Sequence, residues 1–240
     1  MKNILLFSVL AIFVFTSCRQ VFGKRVRGNG NVKMETRTAG QFSNINVSGN
    51  INVYVSQDSV SSIKVEADEN LQEYIIVEND GGTLDIHSRS GYNLKPSKHI
   101  KVYISNATFI KFNASGACDI YTENRITGSE AINISLSGAS NVNMDLKAPK
   151  ISASLSGAGD ITLKGETKDL EVEGSGSTDI RCFDLLSENT SISLSGAGSA
   201  EVFASVKLDV HVSGAADVKY KGNATVSQQV SGAGSVKKVQ

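Results

Sequence analysis

The side chains able to do chemistry recur at one position of a repeat. Asp119, Asn141, Asp160, Asp179 and Asp217 each stand three residues after the glycine of a Ser-Gly pair, and Ser199 and Ser235 hold that place in two further copies. Regularly spaced carboxylates have three uses: acid–base catalysis, calcium ligation, or bonding of the chain to itself. Catalysis needs carboxylates that converge with a base or a metal on one face. Here each copy supplies one polar residue, and Asp160 and Asp179, in successive copies, come nearest to a pair. Ser156-Gly157-Ala158-Gly159-Asp160-Ile161 is similar to a calcium-binding nonapeptide, but the period is near 19 and several copies lack the Asp. Bonding to turn amides fits one residue per copy, so neither a metal nor a cofactor is expected. His87, His99 and His211 fall in unrelated contexts, and no Ser sits in a nucleophile elbow. The chain reads as a non-enzyme.

The elements that position this column follow from the repeat. Ser-Gly recurs with its glycine at Gly116, Gly138, Gly157, Gly176, Gly196, Gly214 and Gly232, at spacings of 22, 19, 19, 20, 18 and 18. Ser48-Gly49 precedes Gly116 by 67 residues, about three periods. Apolar columns lie at even offsets from the glycine, as in Ile120, Val142, Ile161, Ile180 and Val218, and polar ones at odd offsets. That is strand alternation. The small residues at offsets 0 and +2 are expected to turn inward at a corner too tight for a large side chain. A unit of about 20 residues cannot bury its own apolar face, but stacked copies can. The expected fold is all-β, a right-handed parallel β-helix (β-solenoid) of about 20-residue coils with Ser-Gly-Ala corners. An antiparallel sandwich would also give short alternating strands, but would not require the same corner at every turn.

Residues 38–112 are less regular and read as an elaborated first part of the stack, with Ala67 to Leu71 a short helix and Asn79-Asp80-Gly81-Gly82 a hairpin turn. The tyrosines are scattered and show no flat stacking platform; Tyr54, Tyr92, Tyr103, Tyr121 and Tyr220 are candidates for binding a sugar, with packing in the core or at the rim the default expectation. Cys118 and Cys182 lie three copies apart, on the order of 14 Å along a stack with rungs about 4.8 Å apart. A disulfide needs Cα atoms within about 7 Å. Both are expected free and inward.

The chain opens with Met1-Lys2-Asn3, an apolar run from Ile4 to Phe15, and Thr16-Ser17-Cys18. This is the layout of a signal peptide, 1–17, followed by a cysteine placed for lipidation. Phe15 stands where such signals usually carry Leu. Lipidation of Cys18 would tether the chain to a membrane without a spanning helix. Residues 18–37 hold Arg19, Lys24, Arg25, Arg27, Lys33 and Arg37 against one acid, Glu35, and read as a flexible basic tether suited to an anionic lipid surface. The domain proper is then 38–240. With 24 Lys+Arg against 24 Asp+Glu, the chain lacks the basic surplus that phosphate neutralisation requires, and no nucleic-acid partner is expected. Lys237 and Lys238 beside the last strand should discourage end-to-end pairing, so a monomer or weak homodimer is expected.

Gln41-Phe42-Ser43-Asn44-Ile45-Asn46-Val47-Ser48-Gly49, Val53-Tyr54-Val55, Val65-Glu66-Ala67-Asp68-Glu69-Asn70-Leu71, Gly82-Thr83-Leu84-Asp85-Ile86 and the serial Ser-Gly-Ala repeats together resemble one family. It is the "putative auto-transporter adhesin, head GIN domain" family of bacterial envelope lipoproteins, a domain of unknown function. The resemblance covers residues 38–236 and implies a right-handed parallel β-helix with an adhesin-like role. It carries over no binding residues, because the shared positions are structural. The expected function is a lipid-anchored, extracytoplasmic binding or structural module in the cell envelope, at the outer membrane, with a protein or glycan partner. The alternative is a periplasm-facing scaffold or stress sensor, which the absence of acids in Arg19-Gln20-Val21-Phe22 favours slightly.

Overall fold

The computed structural model describes residues 23–240. The signal peptide, Cys18 and residues 19–22 lie outside the described residues. The chain forms β1 (Lys24–Arg27), β2 (Val32–Arg37), β3 (Asn44–Gly49), β4 (Ile51–Gln57), β5 (Ser62–Asp68), β6 (Ile75–Asp80), β7 (Thr83–Ser88), β8 (Tyr92–Lys95) and β9 (Ile100–Asn106). It continues with β10 (Lys111–Gly116), β11 (Asp119–Thr122), β12 (Ile126–Thr127), β13 (Ile132–Gly138) and β14 (Asn141–Gly157). Last come β15 (Asp160–Cys182), β16 (Leu185–Phe203), β17 (Lys207–Lys221), β18 (Thr225–Gly232) and β19 (Ser235–Lys238).

The repeat sets the register. Ser48, Ser115, Ser137, Ser156, Ser175, Ser195, Ser213 and Ser231 pair rung upon rung in one parallel ladder. The result is a β-solenoid of about six turns. Its core is built from the even offsets. Ile45, Phe112, Ile134, Ala153, Val172, Ile192 and Val210 form one buried column before the corner. Val53, Ile120, Val142, Ile161, Ile180, Ala200 and Val218 form another after it. Each large apolar side chain buried this way contributes about 1.5–3 kcal/mol, and stacking lets every coil use its neighbours' faces.

Gly49 is not three periods below Gly116. It is the next rung, paired directly with it. The 67-residue interval is one long excursion. It adds β7 beneath β3 and β9 beneath β4, both parallel. It then closes that end with antiparallel pairs, β6 on β7 and β5 on β9, and β2, from before Gly49, adds to β5. The Asn79–Gly82 hairpin forms as expected: Gly81 and Gly82 both have positive φ, and Asn79 Oδ1 accepts the Gly82 amide at 2.9 Å. The short helix is displaced. Ala67 and Asp68 finish β5, and a 3-10 segment occupies Glu69–Tyr74.

The flexible tether is corrected in part. Residues 24–27 and 32–37 are strands, β1 on β8 and β2 on β5. Their ties come from far along the chain. Asn70 Nδ2 donates to the Arg27 carbonyl, its Oδ1 accepts the Asn29 amide, and Gln72 Nε2 donates to the Lys33 carbonyl. Cys118 and Cys182 are both buried and unbridged. Burial pushes the Cys182 thiol up to about 12 and raises that of Cys118.

Candidate functional site

The glycine column faces outward: Gly116, Gly138, Gly157, Gly176, Gly196 and Gly232 are exposed and Gly214 half-buried. Inward crowding is therefore not why they are glycines. All have φ between 82° and 128°, the left-handed region that penalises a Cβ. Each also lies against the backbone of the coil below. A Cβ on Gly116 would stand 2.6 Å from the Gly49 carbonyl oxygen, and one on Gly138 2.5 Å from that of Gly116. The inward residues are at offset +2, where Cys118, Ser140, Gly159, Thr178 and Ala216 are buried.

The acidic column bonds along the stack rather than to turn amides. Asn141 Nδ2 donates to Asp119 at 2.8 Å, Ser199 to Asp179 at 2.7 Å and Ser235 to Asp217 at 2.5 Å. A single turn amide takes part, that of Asp160, which donates to Asn141. Asp160 and Asp179 do not face each other as an acid–base pair. Arg181 lies between them, donating to Asp160 at 3.1 Å and Asp179 at 3.2 Å. The bond to Asp160 raises the Arg181 pKa. Among the described residues, no group of three His, Cys, Asp or Glu could hold a metal.

Two outward faces have more character. Before the corner, offset −1 is Ser in every copy, and offset −3 is Ser in three of them, Ser135, Ser154 and Ser193. Along these two columns runs a trough of about 650 Å³ lined by Ser154, Ser156, Ser175, Ser193, Ser195 and Ser213, with Glu173, His211 and Gln229 in the same columns and the apolar Leu136, Leu155, Leu194 and Val212 between the two columns. Glu173, Ser193 and His211 occupy three successive rungs. No hydrogen bond joins these three exposed side chains.

After the corner, Tyr103, Tyr54 and Tyr121 stack on neighbouring rungs, with ring centroids 5.1 and 5.3 Å apart and planes 20–22° from parallel. These three tyrosines are therefore not scattered, although they pack against one another, as the default expectation had it. Tyr54 and Tyr121 share offset +5 from Gly49 and Gly116, a column the sequence does show. Tyr103 comes from β9, which has no Ser-Gly pair to align, although Val102-Tyr103-Ile104 parallels Val53-Tyr54-Val55. Tyr103 donates to Glu66 at 3.2 Å, and Lys101 pairs with Glu66 at 3.4 Å. Partial burial raises the pKa of Tyr103 and Tyr121. Because neighbours cover both faces of the Tyr54 ring, the stack is mainly a structural brace. Tyr54→Ala should cost about 2 kcal/mol, two stacked contacts plus lost burial, and Tyr54→Phe little. Urea unfolding of the two variants measures the difference.

Residues 41–224 match the model of the "putative auto-transporter adhesin, head GIN domain" family. The chain belongs to this family. Solved structures agree on the fold. A "putative adhesin" from Bacteroides fragilis is 22% identical with a TM-score of 0.85, covering 89% of this chain and 100% of that one. A "putative adhesin" from Parabacteroides distasonis is 25% identical with a TM-score of 0.73, covering 90% and 100%. A "putative lipid binding protein" from the same species is 23% identical with a TM-score of 0.70, again covering 90% and 100%. No curated protein matches the sequence. In this head GIN domain, the trough lies on coils that the family match spans almost entirely; only Gln229 and Ser231 in β18 fall beyond it. Membership points to an extracellular or envelope-associated protein, and no helix among the described residues is long and apolar enough to cross a membrane.

Proposed function

We propose that the chain is a non-catalytic binding module of the cell envelope, held to a membrane through acylated Cys18, whose trough takes a linear glycan. One observation carries this: hydroxyl side chains flank a concave, partly apolar strip that crosses successive coils at constant offsets from the glycine. Rungs about 4.8 Å apart offer hydroxyls at an interval close to that of sugar units in an extended chain. Orientation would come from many weak hydrogen bonds, with Glu173, His211 and Gln229 supplying longer reach at defined rungs. Such a site discriminates by register rather than by one deep contact.

A glycan array probed with the mature chain and with Ser193→Arg tests it. Ser193 points outward, so the variant should melt like the parent while its bulk fills the trough. Loss of the bound glycans, at least about 10-fold in affinity, is expected. Equal binding by both proteins would remove the trough from the function. Protease added to intact and to lysed cells separates the two faces of the envelope. Cleavage only after lysis would favour the periplasm-facing scaffold.

A further inference from the structure

The first strand is short, exposed and cationic. β1 reads Lys24-Arg25-Val26-Arg27 and pairs in parallel with β8 as a two-stranded ribbon beside the main sheet. Val26 and Leu94 share one face, where Leu94 packs on the core. Arg25, Arg27, Asn93 and Lys95 share the other, and Arg27 stands directly opposite Lys95. Like charges in cross-strand register oppose pairing. The ribbon holds through Lys24 N to the Gly91 carbonyl at 2.7 Å and Gly28 N to the Lys95 carbonyl at 2.9 Å.

Among the described residues, none of Lys24, Arg25, Arg27, Lys95 or Lys98 joins an ion pair. Two acids packed nearby are engaged elsewhere. Asp68 is buried against Gly30 and Ser97, and Glu69 is paired with Lys33. Such a row of cations fits an extended anionic surface. The chain itself says which one. Residues 19–23 are all that separate Cys18 from β1. At about 3.5 Å per extended residue, Lys24 stays within roughly 20 Å of an acylated Cys18. We propose that the β1–β8 ribbon is a membrane-docking face, seating the capped end of the solenoid on anionic phospholipid headgroups of the bilayer that holds Cys18. Acylation of Cys18, proposed above, brings the ribbon to the bilayer; the cations then fix how the domain sits on it.

The mature chain from residue 18, carrying Cys18→Ser and so unable to be acylated, is sedimented with phosphatidylcholine vesicles with and without phosphatidylglycerol. Binding to the anionic vesicles alone, released by salt, is expected. Arg25→Gln, Arg27→Gln and Lys95→Gln together should weaken it roughly 100-fold. The triple variant should melt no lower than the parent, since a like-charge pair has gone. Equal binding to neutral vesicles, no binding to either, or undiminished binding by the triple variant would overturn the proposal. So would displacement by inorganic phosphate where chloride of equal ionic strength has no effect, which would make the ribbon a site for free anions. Incorporation of labelled palmitate into the wild-type chain reads the anchor separately, so failure of the ribbon and failure of the anchor are distinguishable.

Discussion

Gly176→Ala is expected to unfold the middle of the stack. Gly176 has a φ of 107°, where an L side chain costs about 1–2 kcal/mol. The larger effect is contact. Its Cβ would press into the Gly157 carbonyl below, closer than at the first rungs of the ladder. That carbonyl cannot move aside, because Ser156 and Gly157 are already paired with Ser175 and Gly176 on one side and with Ser137 and Gly138 on the other. Relief means separating two coils. The total should reach about 4 kcal/mol or more, a magnitude reserved for strained backbone with no escape. Urea unfolding followed by circular dichroism measures it. Gly82→Ala is the control: φ is 86° there, but the space is open, so only the conformational cost of about 1–2 kcal/mol remains. Similar losses at both positions would mean that backbone stacking does not explain the ladder. Since coils stabilise one another only through nearest neighbours, a break at Gly176 should also broaden the transition.

The regular half of this fold was legible because each coil repeats one solution to one packing problem. Ser at −1, Gly at 0 and apolar residues at even offsets recur, and recurrence fixes both strand alternation and register. What was hidden depends on residues distant in sequence. Gly49 and Gly116 are adjacent rungs, but the cap inserted between them breaks the period, and no spacing rule reveals an excursion. The β1 and β2 segments look like linker because they are basic and glycine-bearing. Their order comes from Asn70, Gln72 and Asp68, which give no local signal. The acidic column was visible as a column, yet the tie between Asp160 and Asp179 depends on Arg181, whose offset from the glycine no other copy fills with Arg. The hydroxyl trough is the reverse case. Every serine in it was visible, but its concavity arises only when several short side chains stand on adjacent rungs.

The cap should fail first in acid, and Asp68 is the reason. The carboxylate is fully buried, yet it accepts the Gly30 amide at 2.8 Å, the Ser97 amide at 2.8 Å and the Ser97 hydroxyl at 2.6 Å. Burial by itself pushes the pKa up; the Ser97 hydroxyl and the amides of Ser97, Gly30 and Asp68 itself outweigh it and hold the group below its ordinary value of 3.8. A folded pKa below the unfolded one means that the stabilisation is fully present above the ordinary carboxylate range. It is lost as pH falls through the folded value. Asp68→Asn keeps the shape but replaces charge-assisted bonds with weaker ones and brings an amide up to the Gly30 and Ser97 donors. A cost of about 3 kcal/mol at neutral pH is expected. Below pH ~4 the gap between variant and parent should narrow, because the parent is then being protonated too. Hydrogen exchange locates the loss. Amides of β1, β2 and β5 should exchange faster in Asp68→Asn while those of β15 to β17 keep their protection, since Asp68 ties Gly30 and Ser97 together and touches none of the later coils. Uniform loss across the stack would instead make the cap and the solenoid one cooperative unit.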